Sequence, residues 1–309
     1  MSNGGAIQPV RDRLAALPLD DLKRCAANAD AELRDLGITF TVYSERDAAD
    51  RALPFDCIPN VLSAEDWART EAGVCRRVAA LNHLLHDIHH DQTILADGVI
   101  PPDLVLGNAN YRPVMRGVDL PHRTCVNVCG TDIVRDSSGG FMVVGDNART
   151  PSGVGYVVEN RHKTVYAYMP GVIRYYLDQD PILPNVETHI CREPEALRYT
   201  LGRLEGLVAK PVSESGGYGI TIGPRASKQE LEECRARLLA NPANHIGQPS
   251  LYLPVAPTLV EGRVEPRHVD LRPFAVTGAK TWVLPGGLTR VAPRRGSLVV
   301  NSSQGGGSK

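Results

Sequence analysis

The stretch that decides the fold is LVAKPVSESGGYGITIG, Leu207–Gly223. LVAKPV reads as a strand that delivers Lys210, and ITIG as the strand that leaves. Between them Ser213, Ser215, Gly216, Gly217 and Gly219 are small residues whose backbone N–H groups can wrap an anion. Lys210 adds a point charge within reach of the same oxygens. The pattern is not a Walker loop, because the lysine precedes the glycines and no helix starts right after them. Taken alone, the stretch is equally a glycine-rich hairpin with a solvated lysine. The rest of the chain has to separate the two readings.

Composition removes several partners. Across 309 residues, 34 Lys and Arg nearly cancel 35 Asp and Glu, leaving a net charge of -1. No nucleic-acid or anionic-membrane surface is expected, so any anion is bound locally. The length suits about two domains. The seven cysteines (25, 57, 75, 125, 129, 191 and 234) form no CxxC pair and are odd in number. That argues against a disulfide framework or a Cys-rich zinc site and for reduced thiols. No apolar leader core and no run near the ~18 apolar residues of a membrane span occurs. A soluble, cytoplasmic protein is expected.

Residues 11–36 read as polar helices and GITFTVY (37–43) as a strand. A long helix is expected from Ala64 to Leu95, capped by Ser63 with Asp66 and striped by Val74, Val78, Leu81, Leu85 and Ile88. From Leu104 to Val158 short strands are expected, with Asp136–Gly140 as a hairpin turn. FMVVGDN (141–147) is then the second strand of that hairpin. HKTVYAYMPGVIRYYL suggests a helix started or kinked by Pro170, and EPEALRYTLGRLE a second. SKQELEECRARLLANP is a third, boxed by Ser227 and Glu230. The last seventy residues read as strands and turns, and the SSQGGGSK tail as disordered.

One motif competes for attention. HDIHH, His86–His90, puts His86 and His90 one helical turn apart with Asp87 where a zincin has Glu. Such a pair grips zinc only if a third ligand arrives from elsewhere. Because these histidines flank the buried stripe of the long helix, a structural role is the preferred reading over a zinc hydrolase.

The wider context favours the anion loop. Lys163 precedes TVYAYMPG, and Gln248 lies in HIGQPS, where it could line an adenine slot. Asp270 and Arg272 are two apart in RHVDLRPF, on one strand face. Arg290 follows in GGLTRVA, and Asn301 precedes a second Gly-rich run. Cations and N–H groups suit a triphosphate, and acid or amide oxygens suit Mg2+.

Lys163, VAKPVSESGGYG, DLRPF, GGLTRVA and NSSQGGGSK resemble the ATP-grasp superfamily. GITFTVY, LPFDCIP, LNHLLHDIHHDQTIL, DNARTPSGVGYVVEN, IRYYL and PILPNV resemble its circularly permuted type 2 proteins in particular, nearly throughout from Leu36. The resemblance implies an α+β fold, two subdomains sandwiching ATP, with an N-terminal helix-rich segment. It divides the chain into a mixed, helix-rich segment (1–100), a strand-rich segment holding the permuted metal-binding end (101–161) and a nucleotide-binding region (162–309). It further implies that Lys163 and Lys210 contact ATP phosphates beneath the loop Ser213–Gly219, and that Gln248 sits near the adenine. Arg272 and Arg290 would stabilise the transferred phosphoryl group, with Asn301 near the acceptor. Asn147, Asp146 and Asp270 would hold Mg2+.

The implied chemistry is phosphorylation of a small-molecule or peptide carboxylate by ATP, then attack of an amine on the acyl phosphate. The alternative is a non-catalytic nucleotide-binding or scaffold protein. Three departures from the family pattern bear on that choice. Gly145 stands where the pattern has Glu, leaving only Asp146 and Asn147. VENRHKTVYAYMP runs directly where relatives carry a sizeable inserted segment, and the chain stops at Lys309 where relatives continue. Loss of a covering segment would expose apolar surface and favour self-association or a protein partner.

Overall fold

The computed structural model describes residues 4–35, 39–41, 50–52, 54–108, 110–148, 163–212, 219–251, 253–298, 300 and 306–309, with only the backbone at 4–6, 39–41, 50–52 and 163–165. Helices α1 (Gly4–Ala15) and α2 (Leu19–Asp35) lead into the short pair β1 (Thr39–Thr41) and β2 (Asp50–Ala52). Helix α3 (Ala64–Ile88) follows, its first turn capped by Ser63 Oγ, which accepts from the Asp66 N–H at 3.0 Å. Val74, Val78, Leu81 and Ile88 along α3 are buried as their spacing predicts.

The helix stops at Ile88 and does not reach Leu95. Thr93 N–H and Oγ1–H donate to Asp87 Oδ1 at 2.9 and 2.8 Å, and the Ile94 N–H donates to Oδ2 at 2.9 Å. Those bonds cap a separate turn, α4 (Thr93–Ala96), so the apolar period continues across a break. The strands expected from Leu104 are also absent up to Asn127. That segment holds α5 (Pro102–Leu106) and 3₁₀ turns at Pro113–Met115 and Pro121–Arg123, each with proline at its first position.

β3 (Val128–Arg135) and β4 (Phe141–Asn147) form the expected hairpin, with Asp136 Oδ1 accepting from the Ser138 and Gly140 N–H groups. α6 (Lys163–Leu177) begins at Lys163, so Pro170 lies inside it and does not start it. Next come β5 (His189–Ile190), α7 (Pro194–Gly202), β6 (Leu207–Pro211), β7 (Thr221–Ile222) and α8 (Lys228–Ala240) with its complete Ser227/Glu230 box. The chain ends with β8 (His245–Pro249), β9 (Val255–Val260), β10 (Arg263–Thr277), β11 (Thr281–Val291) and β12 (Gly307–Ser308).

Two sheets result. The larger runs β12-β11-β10-β3-β4, with β9 on the outer part of β10; the smaller runs β5-β8-β6-β7. One core fills the space between α3, α6 and the near face of the larger sheet, with Ile133, Val143, Leu271, Ala275 and Val283 meeting Val78, Met169 and Ile173. Each of the Val, Leu, Ile and Met side chains among them contributes roughly 1.5–3 kcal/mol of burial. The other core lies between the smaller sheet and α7 and α8, around Leu204, Ala209, Cys234 and Leu238. A side chain at Gly247 would strike Thr200 of α7, so glycine is needed for that close approach. The tail read as disordered on composition is tied down at its end. Gly307 and Ser308 pair with Val291 and Arg290, and Lys309 Nζ lies 2.7 Å from Asp56 Oδ2.

Candidate functional site

A single extra residue in the β3–β4 hairpin sets the geometry of the site. Ile133 pairs with Val143, but Asp132 pairs with Gly145, so Val144 is a bulge. Before the bulge Phe141 and Val143 point into the core under α3 and α6. After it, Gly145 and Asn147 point to the far face and Asp146 turns back toward α3. Asn147 Nδ2 donates to Asp132 Oδ1 at 3.1 Å across the strands.

β10 brings the remaining groups to that far face. Arg272 lies beside Asp132, Nη1 to Oδ1 at 3.3 Å, and donates Nε and Nη2 to Asp270 Oδ2 at 3.3 and 3.1 Å. Asp270 pairs in register with Arg290 of β11, whose backbone N–H donates to Asp270 Oδ1 at 3.2 Å. Asp270, Arg272 and Arg290 are all buried. Burial pushes the Asp132 carboxyl up to about 6; Asp270 and Asp146 add to this and the two arginines oppose it. Burial works against the Arg272 charge, but Asp132 and Asp270 more than offset it and hold the guanidinium firmly protonated. The cluster offers two carboxylates and an amide oxygen as hard ligands, with two guanidiniums beside them. That donor set fits a small oxygen-seeking cation bound together with phosphate.

Asp146 does not join this cluster. Its carboxylate accepts from Arg77 Nε of α3 at 3.1 and 3.2 Å, from Arg77 Nη2, and from Thr131 Oγ1 at 3.2 Å. The Arg77 and Asp146 side chains are only 1% and 7% exposed, and Arg77 Nη1 also donates to Asn185 Oδ1 at 2.7 Å. The expectation that Asp146 stands with Asn147 and Asp270 is corrected by strand alternation, since neighbours on β4 cannot share a face. Asp132, which the sequence reading did not select, stands across from Gly145 and takes the vacated place in the cluster. A cavity of about 200 Å³ lined by Leu84, Leu85, Tyr111, Tyr166 and Met169 also opens on the Asp146 side, and neither Arg272 nor Arg290 lines it.

The smaller sheet carries Lys210 and Gln248. Val208 pairs with Gln248 and Lys210 with Ile246, so Lys210 and Gln248 share the face turned away from α7 and α8. Gln248 is buried and its Nε2 donates to Thr188 Oγ1 at 2.8 Å. Gly219, at φ +69°, closes the loop in the left-handed region. The Ser213, Ser215, Gly216, Gly217 and Asn301 expectations lie outside the described residues, as does the Lys163 side chain; the Lys163 backbone is the first residue of α6.

Two family models match the chain, "Circularly permuted ATP-grasp type 2" over residues 162–292 and "A circularly permuted ATPgrasp" over residues 59–164. An uncharacterized protein of Synechocystis sp. is 30% identical, the match covering 97% of this chain and 92% of that protein. An uncharacterized protein of Mycobacterium tuberculosis is 32% identical, over 97% of this chain and 80% of its own length. A Frankia alni protein named "Putative glutamate--cysteine ligase 2-3" is 29% identical over 99% of this chain, and the match covers 52% of that protein. The Synechocystis match runs over 444 positions, of which this chain of 309 residues supplies about 300, so roughly 144 positions stand opposite gaps here. The two family models and the relatives matched over nearly the whole chain agree: the chain belongs to the circularly permuted ATP-grasp proteins of type 2.

Proposed function

We propose that the chain binds ATP with Mg2+ and activates a carboxylate for attack by an amine. The observation that supports this most directly is the convergence of Asp132, Asn147, Asp270, Arg272 and Arg290 on one face of the larger sheet. Lys210 and the Ser213–Gly219 loop hold the phosphates, with Lys163 beside them, and Gln248 borders the adenine. Asp132, Asp270 and Asn147 hold the cation, which when bound neutralises phosphate charge. Arg272 and Arg290 face the phosphoryl group in transfer, where charge spreads over its oxygens. A carboxylate oxygen of the acceptor bonds to the γ-phosphorus as the bond to the β-phosphate bridge breaks. The amine nitrogen then bonds to the acyl carbon, phosphate leaves with the C–O electrons, and the nitrogen loses a proton. Asn301 is assigned to the recognition of the acceptor. Such catalysis is mostly positioning and needs no covalent protein nucleophile. The Frankia name supports an amino-acid carboxylate as the acceptor class.

A second reading has a specific observation behind it. Gly145 supplies no side chain to the cluster, and roughly 144 positions of the Synechocystis match have no counterpart here. We place that gap at residues 161–163, where the two family models meet. On this reading the protein binds nucleotide without turnover. Calorimetry with ATP and Mg2+, followed by phosphate release over a set of amino acids and short peptides, separates the two. Binding with acceptor-dependent phosphate release supports the ligase, and binding without release over the whole set supports the scaffold. Absence of ATP binding sinks both. Lys210→Ala should weaken ATP at least about tenfold, or 1.4 kcal/mol; an unaltered affinity removes Lys210 from the phosphate site.

A further inference from the structure

The histidines at the end of α3 are not used by any part of the ATP chemistry, and the structure supplies what the sequence motif lacked. Asp119, from the segment between the two 3₁₀ turns, reaches them: its Oδ1 lies 3.4 Å from His90 Nε2. His86 and His90 share a helix face with ring centroids 3.9 Å apart, and one ligand atom from each of His86, His90 and Asp119 lies within 4.8 Å of the others. We propose that His86, His90 and Asp119 form a binding site for a divalent transition-metal ion of the zinc class, separate from the phosphate cluster, that pins the segment around Asp119 to the C-terminal end of α3.

The hydrogen bonding prepares His90 for this role. His90 Nδ1 lies 2.8 Å from the His86 carbonyl oxygen, which can only accept, so Nδ1 carries the proton and Nε2 the lone pair. A backbone carbonyl on the far nitrogen is the usual way a ligating imidazole is oriented. No described donor satisfies the buried Nε2 atom, and the group it faces is a carboxylate. In the neutral ring two acceptors then face each other, an arrangement that a cation between them satisfies. Bonds of roughly 2.0–2.2 Å to a tetrahedral zinc ion need ligand atoms about 3.5 Å apart. The Asp119 side chain is 82% exposed and can rotate to close the remaining gap. The segment is already anchored nearby, since the Gly117 N–H donates to the His89 carbonyl at 2.8 Å.

The same geometry argues against a hydrolase. Asp87 sits where a zincin has its general base, but its carboxylate is spent on the Thr93 and Ile94 N–H groups, Thr93 Oγ1 and the Tyr176 hydroxyl at 2.7 Å. The site holds a metal without a base, so its role is to fix the fold.

The test is a Co2+ titration of the full chain, stripped of metal by a chelator and free of ATP, followed by Zn2+ competition. One equivalent should bind with the visible ligand-field bands of four-coordinate nitrogen and oxygen ligation, and Zn2+ should displace it and raise the Tm. Asp119→Asn, which changes only an exposed side chain, and His90→Ala should each weaken Co2+ at least tenfold and abolish the Tm rise. Absence of those bands overturns the proposal. So does undiminished one-equivalent binding in the His86→Ala/His90→Ala double variant, which would assign the metal to another part of the chain.

Discussion

Asp146 and Asn147 are chain neighbours, yet they serve two acid–arginine clusters of opposite character on the two faces of one sheet. On the α3 side Arg77 spends Nε and Nη2 on Asp146 and Nη1 on Asn185, and Thr131 adds its hydroxyl. Every Arg77 nitrogen and both Asp146 carboxylate oxygens have a partner there. On the far side two carboxylates and an amide crowd around Arg272 and Arg290, and the Asp132 carboxyl is pushed up to about 6 by burial. A carboxylate that burial holds off its ordinary ionisation, set beside two guanidiniums, marks a candidate ligand site. Residue types alone do not distinguish the two. The difference is whether the charges close on themselves.

The largest expected effect falls on the closed cluster. Arg77→Met leaves Asp146 buried without its ion partner and should cost about 3–5 kcal/mol, the range for breaking a buried pair from one side. The change is read by urea or thermal unfolding. Adding Asp146→Leu should recover much of that loss, because the double variant buries no orphaned charge. If the double variant is as unstable as the sum of the single ones, the pair is not coupled and the closed-cluster description fails.

How much of this was legible in the sequence depends on whether the deciding interaction is local. The α3 stripe, the Ser63 cap, the Ser227/Glu230 box and the Asp136–Gly140 turn were readable because each is set by residues within a few positions of one another. The end of α3 was not, because Ile94 and Leu95 continue the apolar period while Asp87 caps a new turn. The alternation in residues 104–127 misled for a related reason: Pro113 and Pro121 start 3₁₀ turns where a strand pattern also fits. Lys210, Gln248, Asp270 and Arg272 were singled out from short motifs and strand parity, and the structure puts each of them on a strand. Asp132 was missed because counting back from the hairpin turn without a bulge sets it opposite Val144, on the wrong side of the register from Asn147. Only the bulge at Val144 corrects that, and its one local sign is the glycine that follows.

A second contrast between the clusters is their response to pH. The Asp132 pKa is raised in the folded state, so the native protein holds that proton more tightly than the unfolded chain. Its contribution to stability is therefore present below the ordinary carboxylate range and is lost as pH rises through about 6. Asp132→Asn removes this term. The stability difference between variant and parent, measured in urea without Mg2+ or ATP, should shift in favour of the variant by on the order of 1–2 kcal/mol between pH 4 and roughly 7. A difference that does not change with pH would mean that Asp132 is not the strained member of the cluster.

The smallest effect on stability is also the one that bears most closely on activity. A Cβ at Gly145 meets nothing nearer than Asp132 Oδ2 at 3.8 Å, so Gly145→Glu fits the strand without displacing backbone. Two terms then oppose each other in the metal-free protein. Replacing a strand glycine restricts the unfolded chain and stabilises by about 0.5–1 kcal/mol, while a further carboxylate beside Asp132 repels. The net change should stay below about 1 kcal/mol, because the new side chain can swing outward and Asp132 can keep its proton. With Mg2+ present the repulsion becomes a ligand contribution, so the variant should bind Mg2+ more tightly and gain more stability from it than the parent. If Gly145→Glu is indifferent to Mg2+, then the face shared by Asn147 and Asp132 is not where the cation sits, and the metal assignment has to move along β10 toward Asp270.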